Sequence, residues 1–122
     1  MTTTEMLEKI LNDLRNIGGI EASAIASRDG LIICSNVPQK KHAETFCAMS
    51  ATMLGAAETA ASQLGKGIPC RLIVESNKAK IIATGAGQKA LLIVMTKHDA
   101  SLGLILMEVD KASQKVSKIL GS

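Results

Sequence analysis

At 122 residues, 47% of them apolar and 20% charged, the chain is long enough to bury a real core and too apolar to stay disordered. Its net charge of +3 is spread over scattered lysines, and Phe46 is its one aromatic residue. That excludes the aromatic platforms of single-stranded nucleic-acid binders and the basic stripe of a duplex binder, so no nucleic-acid partner is expected. No apolar run approaches the roughly 20 residues of a membrane span, so no direct membrane insertion is expected. The opening Met1-Thr2-Thr3-Thr4-Glu5 lacks the basic and apolar stretches of a secretory leader. Together with three scattered cysteines and no Cys-x-x-Cys pair, this reads as a cytoplasmic protein.

The spacing predicts a first helix over 3–17, with Met6, Leu7, Ile10, Leu11, Leu14 and Ile17 on one stripe. Thr3 or Thr4 is its expected cap, and Gly18-Gly19 stops it. Ile20 to Ser27 and Leu31 to Ser35 read as strands joined by the turn Arg28-Asp29-Gly30. A polar loop over 36–41 leads to a long helix over 42–64, which ends at Gly65-Lys66-Gly67. Three strands follow, Ile68 to Glu75, Ala79 to Thr84 and Lys89 to Thr96, with turns at Ser76-Asn77-Lys78 and Gly85-Ala86-Gly87. Pro69 cannot donate to a ladder, which places the first of these at a sheet edge. The unbroken run Ala90 to Met95 marks a central strand covered on both faces. A last helix, capped by Asp99 or Ser101, keeps helical period from Leu102 to Leu120, with Gly103 costing it about 1 kcal/mol against alanine. The expected fold is a single α/β sandwich domain over 1–122. Its five strands are mainly antiparallel, in the order helix-strand-strand-helix-strand-strand-strand-helix.

The helix over 42–64 is the most informative segment, because it carries only two charges, Glu44 and Glu58. Phe46, Met49, Met53, Leu54, Ala57, Ala60, Ala61 and Leu64 form an apolar stripe for the core. The opposite side carries Thr45, Ala48, Thr52, Gly55, Thr59 and Ser62, at the spacing of a helix–helix seam. Charge is depleted where proteins meet, so this side reads as a surface held for a partner.

No catalytic, cofactor-binding or metal-binding residue is expected. Gly85-Ala86-Gly87-Gln88-Lys89-Ala90 matches a dinucleotide fingerprint in letters, but an apolar β-branched run follows it where a helix is required. Gly65-Lys66 lacks the other glycine and the hydroxyl of a phosphate loop. His42 and Cys47, five apart on a helix, do not face each other, and Glu108 and Asp110 diverge. His98 reads as a solvated loop residue. Cys34, Cys47 and Cys70 each fall in a predicted strand or helix and read as small buried hydrophobes.

The element order, the stretch Ile17-Gly18-Gly19-Ile20-Glu21-Ala22-Ser23-Ala24-Ile25-Ala26-Ser27-Arg28-Asp29-Gly30-Leu31-Ile32 and the step Leu102-Gly103-Leu104 resemble the roadblock-type domains, the family of the dynein roadblock light chain. The resemblance covers nearly the whole chain. It implies a profilin-like sandwich and a homodimer in which the edge strand and the long helix meet their two-fold copies. Prokaryotic members of similar kind act with small Ras-like GTPases. By that resemblance, Ala48, Ala51, Thr52, Gly55 and Thr59 are the expected docking surface, and a GTPase regulator is the leading function. A scaffold without effect on GTP turnover is the alternative, followed by a small-ligand sensor with a pocket beneath the long helix. The edge strand itself offers Arg71, Ile73 and Glu75, and a two-fold antiparallel pairing sets Arg71 near Glu75 of the second copy.

Overall fold

A computed structural model of the chain describes residues 1–121. Its elements are α1 (Thr3–Arg15), β1 (Ile20–Ser27), β2 (Ile32–Asn36), α2 (Ala43–Gln63), β3 (Arg71–Glu75), β4 (Ala79–Ala86), β5 (Ala90–Lys97) and α3 (Leu102–Leu120), with one tight turn at Lys40–His42 leading into α2. The order is the expected one. The cap of α1 falls one residue earlier than expected, on Thr2. The Thr2 hydroxyl accepts from the Glu5 amide, and the Glu5 carboxylate accepts from the Thr2 amide, which closes a capping box. β4 runs two residues further than predicted, because Gly85 and Ala86 still pair with Leu91 and Ala90; the bend falls at Gly87, with φ +79.

The five strands form one antiparallel sheet in the order β2-β1-β5-β4-β3. β5 is therefore central, as the run Ala90 to Met95 required, and β3 is an edge as expected, although Pro69 falls in the link two residues before the strand. The two edges differ in quality. β3 pairs with β4 without interruption from Arg71–Thr84 to Glu75–Lys80. Along β2, Cys34 pairs with Ile25 and Ile32 with Ala26, so Ile33 is an extra residue and the strand bulges.

α1 and α3 cover one face over a core of Leu7, Leu11, Leu14, Ile25, Ile82, Leu92, Val94, Ile105, Val109 and Val116. α2 lies on the other face against Ala24, Ala26, Ala83, Leu91 and Ile93, contributing Cys47, Ala51 and Leu54. Alanines on the sheet let α2 seat closely, and burial of Leu54 alone contributes about 1.5–3 kcal/mol. Two contacts fix how α2 is set. Gly30, at φ +88, lies so near the helix that a Cβ there would sit 2.9 Å from the Ala48 Cα. Arg28 donates from Nη2 to the Gly87 carbonyl at 2.6 Å and from Nη1 to the Glu58 carboxylate at 3.3 Å. The β1–β2 and β4–β5 turns are thereby tied to α2.

Candidate interaction surface

Residues Ala43, Cys47, Ser50, Ala51 and Leu54 are the buried line of α2. This corrects the expected division of the helix. Phe46 and Met53 are only half-buried, Met49 is 53% exposed and Leu64 is 75% exposed. Ala51, expected on the outer side, is 8% exposed and belongs to the core. The physical reason is the close seat. With Gly30 against Ala48 and Ala51 and with Arg28 holding Glu58, the helix turns its small residues to the sheet. The bulky Phe46, Met49 and Met53 move to a flank. Of the other expected docking residues, Thr52 and Thr59 are exposed, and Ala48 and Gly55 are half-buried. The Thr52 hydroxyl donates back to the Ala48 carbonyl at 2.9 Å, which satisfies it within the helix.

α2 leaves part of its face of the sheet uncovered. Phe46, Leu72 and Ile81 rim the core beneath it and stay half-buried. By strand alternation Val74 and Met95 share that face, and they too are half-buried. This partly covered apolar strip runs out to the open β3 edge.

The other face of β3 carries Arg71, Ile73 and Glu75. Arg71 is already engaged within the chain, because its Nη2 donates to both Asp110 carboxylate oxygens of α3 at 2.7 and 2.8 Å. Its Nε is buried and has no partner among the described residues. Ile73 packs against the α1/α3 core, and Glu75 is exposed. No local spacing reveals the Arg71–Asp110 or Arg28–Glu58 pairs, because each joins residues more than a full element apart.

The motifs set aside fall where the sequence put them. Gly85 and Ala86 belong to β4 and Ala90 opens β5, so the glycine motif is a hairpin. Gly65 at φ +67 and the bond from the Lys66 amide to the Ala61 carbonyl close the end of α2. Asp110 turns to Arg71, while Glu108 lies 3.7 Å from Lys111. His42 is exposed and Cys47 fully buried, so they form no pair. Burial pushes the Cys47 thiol up to about 11. It also raises Cys34, with a smaller contribution from the Glu8 charge. Cys70 departs from expectation and is exposed. β3 begins at Arg71, three residues later than expected, leaving Cys70 in the link, where its carbonyl accepts from the Thr84 hydroxyl at 2.9 Å. Cys47, Leu54, Leu91 and Ile93 fill the space beneath α2. No helix among the described residues is long and apolar enough to cross a membrane.

An antiparallel five-stranded sheet, two helices on one face, one weakly charged helix on the other and an unblocked edge define an α/β/α sandwich of the profilin type. Acanthamoeba castellanii profilin II superposes with a TM-score of 0.66 at 16% identity, over 99% of this chain and all (100%) of that one. Residues 6–96 match the Roadblock/LC7 domain, and the chain belongs to that family of regulatory and adaptor domains. It is 32% identical over 111 residues to the uncharacterized protein MJ1340 of Methanocaldococcus jannaschii, covering 91% of this chain and 96% of that one. The gliding protein MglB of Thermus thermophilus superposes with a TM-score of 0.88 at 19% identity, over 98% of this chain and 91% of that chain.

Proposed function

We propose that the chain is a homodimeric adaptor that binds a small Ras-like GTPase and modulates its nucleotide cycle. One observation carries the reading. The regular, unblocked β3 edge lies beside a sheet face that α2 covers only in part, with Phe46, Met53, Leu72 and Ile81 half-exposed. Natural edges are normally covered or paired. A second copy laid edge to edge would extend the sheet and bring its own α2 over that apolar strip. The Met49 and Met53 flank of α2 then serves the dimer. Ala48, Thr52, Gly55 and Thr59, themselves uncharged and without an aromatic anchor among them, are the surface for the GTPase. Membership of the Roadblock/LC7 family and the likeness to MglB support a role in a GTPase pathway.

The test uses the cognate GTPase. Adding the protein should change the rate of GTP hydrolysis or of nucleotide exchange. A Cβ at Gly55 would meet no atom within 4 Å, so Gly55→Arg should fold normally yet lose the complex. Undiminished binding by that variant would place the docking surface elsewhere. A complex that leaves both rates unchanged would make the protein a scaffold instead.

A further inference from the structure

We propose that the furrow between α1 and α3, on the sheet face opposite α2, receives an amphipathic helix of a partner protein, apolar on one side and acidic along one flank. The proposal goes beyond the GTPase reading above and does not depend on it.

Two rows of side chains border the furrow. Met6, Ile10 and Asp13 of α1, with Ile17 just past its end, recur at steps of four and three. Glu108, Lys111, Lys115 and Lys118 of α3 do the same. That spacing keeps each row on one side of its helix. The rows line two hollows of about 110 and 320 Å³, which share Ile10, Asp13 and Lys115 and so form one continuous groove. From Glu108 to Lys118 it follows α3 for about 15 Å, roughly three helical turns. Ile10 and Leu14 are buried in its floor, whereas Met6, Ile17 and Ile119 are only half-buried. A helix laid there with its apolar side down becomes a third member beside α1 and α3, packed at the usual 8–10 Å or so between axes. The apolar floor lies between the rims and not on a crest, which suits an inserted helix and not a flat lipid surface.

Charge selects the flank. On the α1 rim Lys9 pairs with Asp13 at 3.3 Å, and on the α3 rim Lys111 lies 3.7 Å from Glu108. Lys115 and Lys118 have no ion-pair partner among the described residues. From Lys111 onwards α3 carries three lysines and no acid. The negative end of the helix dipole accounts for Lys118 in the last turn, but its field fades within that turn and does not account for Lys115 over the groove. The α1 rim is thus balanced and the α3 rim positive, so the acids of the incoming helix belong on its α3 side. The neighbouring side of α3 is turned to the β3 edge, where Asp110 holds Arg71, and α2 lies across the sheet. The groove therefore stays open when β3 and α2 are occupied, and the chain can hold two kinds of partner at once.

Two synthetic peptides of about 14 residues, long enough to form some helix alone, test this. Both carry leucine and alanine along one side; one has glutamate and the other lysine along the same flank. Fluorescence anisotropy at low salt should show the glutamate peptide binding about tenfold more tightly. In Lys115→Glu/Lys118→Glu, shown by circular dichroism to fold, the preference should invert. Should that variant fail to fold, Lys115→Ala/Lys118→Ala should abolish the preference. Gly55→Arg, altered on α2, should bind the glutamate peptide as wild type does, whatever it does to the GTPase. In isotope-labelled protein the amide shifts caused by the glutamate peptide should centre on Met6, Ile10, Asp13 and Ile119. Equal affinity for the two peptides, no binding of either, or shifts centred elsewhere overturns the proposal. Binding of phosphatidylserine vesicles by wild type and not by the charge-reversed variant, without affinity for either peptide, overturns it in favour of a lipid surface.

Discussion

Replacing Gly30 by alanine tests whether the β1–β2 turn sets the position of α2. The new Cβ would lie 2.9 Å from the Ala48 Cα and 3.4 Å from the Ala51 Cβ, where the nearest atom is helix backbone and cannot swing away. The residue also sits at φ +88, which costs a non-glycine residue about 1–2 kcal/mol. Overpacking adds about 1–3 kcal/mol. The lower entropy of the unfolded alanine chain returns about 0.4–1 kcal/mol. The net loss is about 1–4.5 kcal/mol, centred near 3, a large share of the 5–15 kcal/mol typical of a domain, and Tm should fall by roughly 10 °C. Urea titration and thermal melting by circular dichroism measure both. Gly103→Ala is the control. It lies in α3 at ordinary φ with nothing within 4 Å of a Cβ, and should be neutral or stabilise by up to about 1 kcal/mol. If Gly30→Ala loses less than about 1 kcal/mol, no more than a propensity difference, the wedge against Ala48 does not hold the helix.

Arg28→Ala removes the 2.6 Å bond to the Gly87 carbonyl and the pair with Glu58. Both side chains are about a third exposed, so the ion pair is discounted and the urea midpoint should report a loss of about 1–2 kcal/mol. Arg28→Lys should not restore it, because an ammonium lacks the planar fork that reaches both acceptors. Ellman's reagent should titrate Cys70 at once, and Cys34 and Cys47 only after unfolding; prompt labelling of Cys47 would contradict the seat of α2, and prompt labelling of Cys34 the packing of α1 and α3 on the other face. With the Cys47 thiol raised to about 11 and Cys34 raised too, the folded state holds these protons more tightly than the unfolded one. Their contribution is complete below the ordinary thiol pKa of about 8.5 and is lost as pH climbs from there towards 11. The urea midpoint should therefore fall between about pH 8 and about pH 10.5, and Cys47→Ala should lessen the fall.

What the sequence by itself determined is local in origin. The stripe Leu7, Ile10, Leu11 and Leu14 places α1, because helical period is visible within a few turns. The run from Ala90 makes β5 central, because a run without polar alternation carries its own meaning, and β3 is the edge that Pro69 pointed to, although Pro69 itself lies in the link before the strand. The exposure of Thr52 and Thr59 was legible in the missing charges of α2, whereas Ala48 and Gly55 are half-buried and Ala48 lies against Gly30. The angle at which α2 sits was not legible there. The helix is apolar or small on most of its circumference, so its own pattern chooses a buried line only weakly, and Met49 and Leu64 looked as good a core as Cys47 and Ala51. That choice belongs to contacts between residues far apart in the chain, Gly30 on Ala48, Arg28 on Glu58 and Arg28 on Gly87, where one missing side chain and one guanidinium decide how closely helix and sheet approach. Arg71 is a further case: from sequence it was an edge charge set towards Glu75 of a second copy, and only the packing of α3 against β3 brings Asp110 to it within the chain.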